Sequence, residues 1–247
     1  MRSPLPPPDP ALLRGAALLL DVDGTLLELA PRPDAVVVPP SLPSLLACAR
    51  DRLAGGVALI SGRAAENVAA LLPVPGITIA GSHGLELRAP DGSIARASRP
   101  AGLDAACAGL VAFAAERPGV LVEDKPIGVA LHFRQAPDHG PAAEALAAAL
   151  AERHNLHLQP GKAMIELRGR EGDKGGALRQ LMREPKRAAT RPVFMGDDET
   201  DEPAHAAARA LGGAGVLVGP PRATAARFGL ADVPAVHRWL AAALATL

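Results

Sequence analysis

The chain has 247 residues, 49% hydrophobic and 21% charged, enough for one large domain or for a core domain carrying a smaller inserted one. Its 26 basic and 26 acidic residues leave a formal net charge of zero, which excludes the electrostatic footprint of a nucleic-acid or anionic-membrane binder. An aromatic content of 2% also removes the stacking surface that a single-strand binder needs.

The N-terminal MRSPLPPPDP is proline-rich, lacks the apolar core of a signal peptide and reads as a loose leader, and no uninterrupted apolar run approaches membrane length. Short β-like runs then alternate with Ala/Leu-rich helical patterns: AALLL (16–20), a helix near 40–52, GVALI (56–60), a helix near 64–71 and ITIA (77–80). Such alternation signals βαβ units and a parallel sheet. Residues 84–96 read instead as a hairpin turning at Pro90-Asp91-Gly92. From about Gly102 the texture changes to helix (103–116), two strands, helix (141–153) and two more strands, an α+β insert over 102–169 within a core of 1–101 and 170–247. The βα alternation resumes with a helix opening at Asp173-Lys174, PVFMG (192–196), a helix from Thr200, GVLVG (215–219) and a terminal helix from 232. Cys48 and Cys107 lie in helical patterns and read as buried free thiols, which favours a reducing, cytoplasmic compartment.

Asp21, Ser61 and Asp197 each follow directly after an expected core strand, and ligands of open parallel sheets bind outside the carboxyl ends of the strands. In DVDGT, Asp21 and Asp23 are two like charges after an apolar run, and half-buried carboxylates need a proton, a basic group or a metal to neutralise them. The plainer reading is a turn shaped by Gly24; the functional one is a nucleophile at Asp21 with Asp23 as general acid and base. In LISGR, Ser61 serves equally well as a helix cap or, with the backbone N–H groups around Gly62, as a phosphate ligand. Lys174 opens a helix, where a cation opposes the dipole unless an anion is near, and it is one of only four lysines; this points to a phosphate ligand. GDDETDE places five acidic residues in six positions, more than helix capping explains. A hard divalent cation explains them, with Asp197 as ligand and Asp198 and Asp201 supporting, and Mg²⁺ takes only one or two carboxylates directly.

DVDGTL, SGR, DKGG and GDDETDE, in this order and with an insert between the second and third, resemble the phosphatases of the haloacid dehalogenase superfamily. GSHGLELR, VEDKPIGVALHFR and GKAMIELR are similar, more narrowly, to the trehalose-6-phosphate phosphatases. The resemblance implies a Rossmann-like α/β core with the insert as an α+β cap closing over the sugar, and an aspartyl phosphate on Asp21. It further implies Mg²⁺ held by Asp21, Asp197 and the Asp23 carbonyl, and Ser61, Gly62 and Lys174 on the phosphoryl oxygens. Glu123, Lys125, His132, Arg134, Lys162 and Glu166 would bind the sugar; His83 and Glu86 have no assigned role. Pro203, Ala204 and His205 depart from the acidic and aromatic residues expected after TDE. Two other readings stand beside this one: a different phosphosugar, such as sucrose 6-phosphate or a mannosyl phosphoglycerate, and a non-catalytic phosphosugar-binding module.

Overall fold

The computed structural model describes residues 3–30, 35–169 and 172–247. The chain divides into two compact units, one of Met1–Ala30, Val36–Arg96 and Gly172–Leu247, the other of Pro31–Ala35 and Ala97–Glu171.

The first unit is built on β1 (Ala16–Leu20), β2 (Val57–Ile60), β3 (Thr78–Gly81), β4 (Glu86–Arg88), β5 (Ile94–Arg96), β10 (Arg191–Gly196), β11 (Ala214–Val218) and β12 (Phe228–Leu230). Their order is β12-β11-β10-β1-β2-β3-β4-β5, with the first six strands parallel and the β4–β5 hairpin antiparallel at one edge. Every residue of β1 is buried because both sheet faces are covered, so the strand is a continuous apolar run rather than an alternation. Leu18 and Leu20 face a cluster with α1 (Leu42–Arg52), α2 (Ala65–Leu71) and α7 (Val233–Ala245), whereas Ala17 and Leu19 face α5 (Lys174–Leu181) and α6 (Glu202–Ala210). Each fully buried Leu contributes roughly 1.5–3 kcal/mol of transfer free energy.

The second unit has α3 (Leu103–Ala115), α4 (Gly140–His154) and a four-stranded antiparallel sheet ordered β6-β7-β9-β8, from β6 (Leu121–Lys125), β7 (Gly128–His132), β8 (His157–Gly161) and β9 (Met164–Arg168). Val129, Leu131, Ile165 and Leu167 form one core with Leu103, Leu110 and Leu150 from the two helices. Strand alternation therefore puts Glu123, Lys125, His132 and Glu166 together on the opposite face.

Two expectations are corrected. The proline-rich N-terminal segment is docked rather than loose: the Pro6 carbonyl accepts from Gly229 N at 3.0 Å and the Pro8 carbonyl from Trp239 Nε1 at 2.7 Å. Proline fixes φ, so this extended segment has little backbone entropy to lose on docking. Met1 and Arg2 of that segment lie outside the described residues. Both cysteines are free, but Cys48 is exposed and Cys107 only half-buried, because the buried stripe of α1 runs through Leu42, Leu46 and Ala49 and that of α3 through Leu103, Ala106 and Leu110. Among the described residues no helix is long and apolar enough to cross a membrane.

Candidate active site

Asp21, Ser61 and Asp197 meet at one edge of the sheet because β1 pairs with β2 on one side and β10 on the other, in the registers Leu20↔Leu59 and Leu20↔Met195. The Asp21 N–H continues the ladder to the Met195 carbonyl at 3.0 Å, bringing Asp21 level with the start of the acidic loop. Asp21 is buried; its Oδ1 accepts from Lys174 Nζ at 2.7 Å, and its Oδ2 has no hydrogen-bond partner.

Lys174, in the first turn of α5, also donates to Asp201 Oδ1 at 2.7 Å. The anions that its position calls for are thus two carboxylates. Burial alone would push the ammonium down, but Asp201 and Asp21 outweigh it and hold Lys174 well above its ordinary value. Burial raises the Asp21 pKa well above the usual carboxylate range; Lys174 opposes this, and the negative charges of Asp201, Asp197 and Asp198 reinforce it. Asp201 is likewise raised by burial, to about 6, against the pull of Lys174.

The acidic loop is not wholly explained by a cation. Asp198 and Asp201 form a capping box over the short 3₁₀ turn Glu199–Asp201 that leads into α6: Asp198 Oδ1 accepts from Thr200 N at 2.8 Å, and Asp201 Oδ2 accepts from the Asp197 and Asp198 N–H groups at 2.9 and 3.0 Å. Glu202 pairs with Arg222. What local structure leaves over is a group of carboxylate oxygens on Asp21, Asp197 and Asp201 lying within 4.8 Å of one another. Asp201 already uses both oxygens, so Asp21 and Asp197 are the candidate cation ligands, with Asp201 beside them. The donor set fits a hard divalent cation: oxygen atoms only, an excess of negative charge, and a buried Asp21 Oδ2 with no hydrogen-bond partner. Gly24 supplies the space, for it has φ +86° and a Cβ there would sit 2.3 Å from Asp197 Oδ2.

Asp23 lies beside this group, but its carboxylate is held by Arg63, with Nε and Nη2 at 2.6 and 2.8 Å from its two oxygens. Ser61 is not a helix cap; α2 begins at Ala65 with Ala64 before it. Ser61 Oγ accepts from Arg63 N at 3.1 Å, which leaves its own O–H to donate. A Cβ on Gly62 would come within 2.9 Å of the His83 ring, and His83, in the left-handed region at φ 57°, donates its N–H to the Ser61 carbonyl. Glu86 is fully buried; its Oε2 accepts from Ala65 N at 2.7 Å and its Oε1 pairs with Arg96 at 3.3 Å. His83 and Glu86 therefore fix the loop that carries Ser61 and Gly62.

His205, where the sequence departs from its family pattern, is fully buried on α6, edge-on to Phe194 at 5.1 Å, with neither ring nitrogen hydrogen-bonded. Burial lowers its pKa to about 4, with Glu202 opposing.

In the second unit, Glu123 Oε2 lies 2.9 Å from His132 Nε2, and Lys125 Nζ donates to Glu166 Oε2 at 2.9 Å. Burial pushes Glu123 up, but the His132 hydrogen bond and the Lys125 charge leave it below its ordinary value. Lys125 on β6 reaches Glu166 on β9 across β7 because the β7 residues between them are Gly128 and Ala130. Arg134 donates to the Lys162 carbonyl at 3.1 Å, and the Lys162 side chain is exposed.

Residues 19–232 match the trehalose-phosphatase family. A probable trehalose-phosphate phosphatase of Sinorhizobium fredii is 40% identical over 233 residues, covering 94% of this chain and 88% of that protein. The trehalose-6-phosphate phosphatase of Escherichia coli is 39% identical, covering 94% and 87%. The chain belongs to the trehalose-phosphatase family. Its fold is that of the haloacid dehalogenase superfamily, and the C-terminal domain of the Candida albicans trehalose-6-phosphate phosphatase superposes with a TM-score of 0.84 at 20% identity, over 98% of each chain. A phosphatase of this family uses a divalent metal, in keeping with the acidic group at the sheet edge. Sequence reasoning named the residues at the strand ends but missed Arg63 and Arg222, whose only sequence signals were the R of SGR and an arginine in a loop without periodicity.

Proposed function

We propose that the protein hydrolyses trehalose 6-phosphate to trehalose and phosphate with Mg²⁺ as its cation, a step of trehalose formation in the cytoplasm. The observation that carries this reading is the convergence of Asp21, Ser61, Lys174 and Asp197 at one sheet edge in a chain of this family.

Asp21 attacks phosphorus and becomes an aspartyl phosphate, dividing one difficult displacement into two. Asp23 enters the first step protonated and gives that proton to the departing sugar oxygen; the carboxylate this leaves, the form that Arg63 pairs with, then takes a proton from the water that cleaves the phosphoenzyme, which restores the acid. The Ser61 hydroxyl, the Gly62 N–H and the Lys174 ammonium hold the phosphoryl oxygens in line, and alignment with charge neutralisation is most of what phosphoryl transfer asks of a protein. When bound, Mg²⁺ held by Asp21, Asp197 and the Asp23 carbonyl supplies positive charge against the transferring group.

The insert, residues 102–169, serves as the substrate-recognition cap. Glu123, Lys125, His132 and Glu166 form a polar array suited to sugar hydroxyls, with Arg134 and Lys162 at its margin.

Phosphate release from trehalose 6-phosphate, glucose 6-phosphate and sucrose 6-phosphate, measured side by side with Mg²⁺, tests the proposal; trehalose 6-phosphate is the expected preferred substrate. Preference for sucrose 6-phosphate would overturn the substrate while keeping the chemistry, and no release from any substrate would leave a binding module.

A further inference from the structure

After β11 the chain passes through a loop, 219–227, before β12. Arg222 in this loop engages every nitrogen of its guanidinium with the acidic loop and its own neighbourhood. Nη2 donates to the Asp198 carbonyl at 2.5 Å and to the Asp197 carbonyl at 3.4 Å, and Nε donates to the Asp197 carbonyl at 3.4 Å. Nη1 donates to the Ala223 carbonyl at 3.0 Å and to Glu202 Oε1. The other Glu202 oxygen accepts from Ala225 N at 2.7 Å, so one carboxylate in the first turn of α6 orients the arginine and anchors the loop that bears it.

This geometry excludes one role and specifies another. An arginine whose donors all end on protein oxygens has none left for a phosphate. β10 ends at Gly196, so the carbonyls of Asp197 and Asp198 lie beyond the sheet ladder; the Asp198 carbonyl also accepts from Asp201 N at 3.3 Å. Backbone carbonyls outside regular structure need such partners, and the rigid planar fork of a guanidinium holds two of them in a fixed geometry that the freely rotating donors of an ammonium do not impose. The capping box holds the loop through its N–H groups, and Arg222 holds it through its carbonyls.

We infer that Arg222 is a positioning residue for the divalent-cation site: through the Asp197 and Asp198 carbonyls it fixes the direction of the Asp197 carboxylate, and Glu202 fixes Arg222. The inference rests on the cation reading proposed above.

The test uses full-length, metal-stripped protein and Mg²⁺ as the probe, without substrate. Titration calorimetry should show Arg222→Ala binding Mg²⁺ roughly 10- to 100-fold more weakly than the parent, the range typical of residues that orient metal ligands. Arg222→Lys should be only partly rescued, because it keeps the charge and loses the fork, and Glu202→Gln should weaken binding by a smaller factor. The Mg²⁺ concentration that half-saturates trehalose 6-phosphate hydrolysis should rise in step, with KM for the sugar phosphate unmoved. If Arg222→Ala fails to fold by circular dichroism, Arg222→Lys and Glu202→Gln carry the test. Folded variants that bind Mg²⁺ as tightly as the parent would overturn the role of Arg222 alone. A parent protein that binds no Mg²⁺ and turns over substrate after metal stripping would overturn the cation reading and this inference together.

Discussion

The Lys125–Glu166 pair separates stability from recognition within the second unit. The two side chains are 6% and 3% exposed and 2.9 Å apart, so removing either charge leaves the other in a nearly dry environment. Breaking a buried pair from one side costs about 3–5 kcal/mol, whereas replacing both members with apolar residues of similar volume is often neutral or stabilising. Glu166→Ala and Lys125→Ala should each destabilise the second unit by that amount, and Lys125→Met combined with Glu166→Leu should recover most of it. The single tryptophan, Trp239, lies on α7 in the first unit, so its fluorescence follows that unit while far-UV circular dichroism follows both. Loss of the second unit should therefore appear in urea titrations as a dichroism transition without a matching fluorescence change. In the folded double variant, kcat/KM for trehalose 6-phosphate should still fall by about tenfold or more, since one hydrogen bond to a charged group is worth roughly 1.5–3 kcal/mol. Hydrolysis of p-nitrophenyl phosphate, which has no sugar to grip, should persist. A double variant that regains both stability and trehalose 6-phosphate hydrolysis would refute the recognition role and leave the pair purely structural.

Gly24→Ala should abolish Mg²⁺-dependent activity in folded protein, because the new Cβ meets Asp197 Oδ2 at 2.3 Å and the left-handed backbone costs about 1–2 kcal/mol more; calorimetric Mg²⁺ binding in this variant checks it. Mg²⁺ binding should release protons near pH 6, because Asp201 titrates at about 6 and Asp21 is also raised, and a cation favours their ionised forms; affinity then falls as the pH drops through 6. Titrations in two buffers of different ionisation enthalpy measure this release, and identical heats would contradict it. For His205, whose folded value is depressed from 6.5 to about 4, the stability contribution is fully present above pH 6.5 and is lost as the pH falls towards 4, about 3 kcal/mol in all at roughly 1.4 kcal/mol per pH unit. His205→Leu should abolish this loss, so the parent should lose more Tm than the variant between pH 7 and pH 5, the carboxylate contributions being common to both.

The buried strands were legible because both faces of the sheet are covered, making β1, β2, β11 and, after Arg191, β10 apolar runs. β12 was not: Phe228-Gly229-Leu230 is too short for any period to emerge, and it becomes a strand only by pairing with β11. The residues at the strand ends were legible for the same reason as the strands, since a polar residue directly after a buried run has one place to go. Partners separated widely in sequence were not. Arg63 reaches Asp23 over 40 positions and Arg222 reaches Asp197 over 25, both from loops whose side-chain directions follow no period. Alternation placed Glu123 with Lys125 on one face, but the contact of Lys125 with Glu166 depends on the strand order β6-β7-β9 and on small residues at 128 and 130, which pairing decides.

The two aspartates of DVDGT gain their counter-charges from different sources, and the difference bears on how folding and chemistry are coupled. Asp23 is paired with the guanidinium of Arg63. Asp21 shares the single ammonium of Lys174 with Asp201, and Asp197 and Asp198 add further negative charge nearby. Without a cation the group is under-compensated, which is why burial and mutual repulsion raise Asp21 and bring Asp201 to about 6. A raised carboxylate weakens the folded state as the pH climbs from the ordinary carboxylate value to its folded value, so near neutrality the metal-free site opposes folding. A cation that binds only the folded arrangement removes that opposition by mass action, adding about 2.7 kcal/mol at a hundredfold excess over its dissociation constant. In the proposed mechanism the same under-compensation draws the cation to Asp21, the nucleophile; a second lysine beside Asp21 would stabilise the apo fold while removing the reason for the cation to bind.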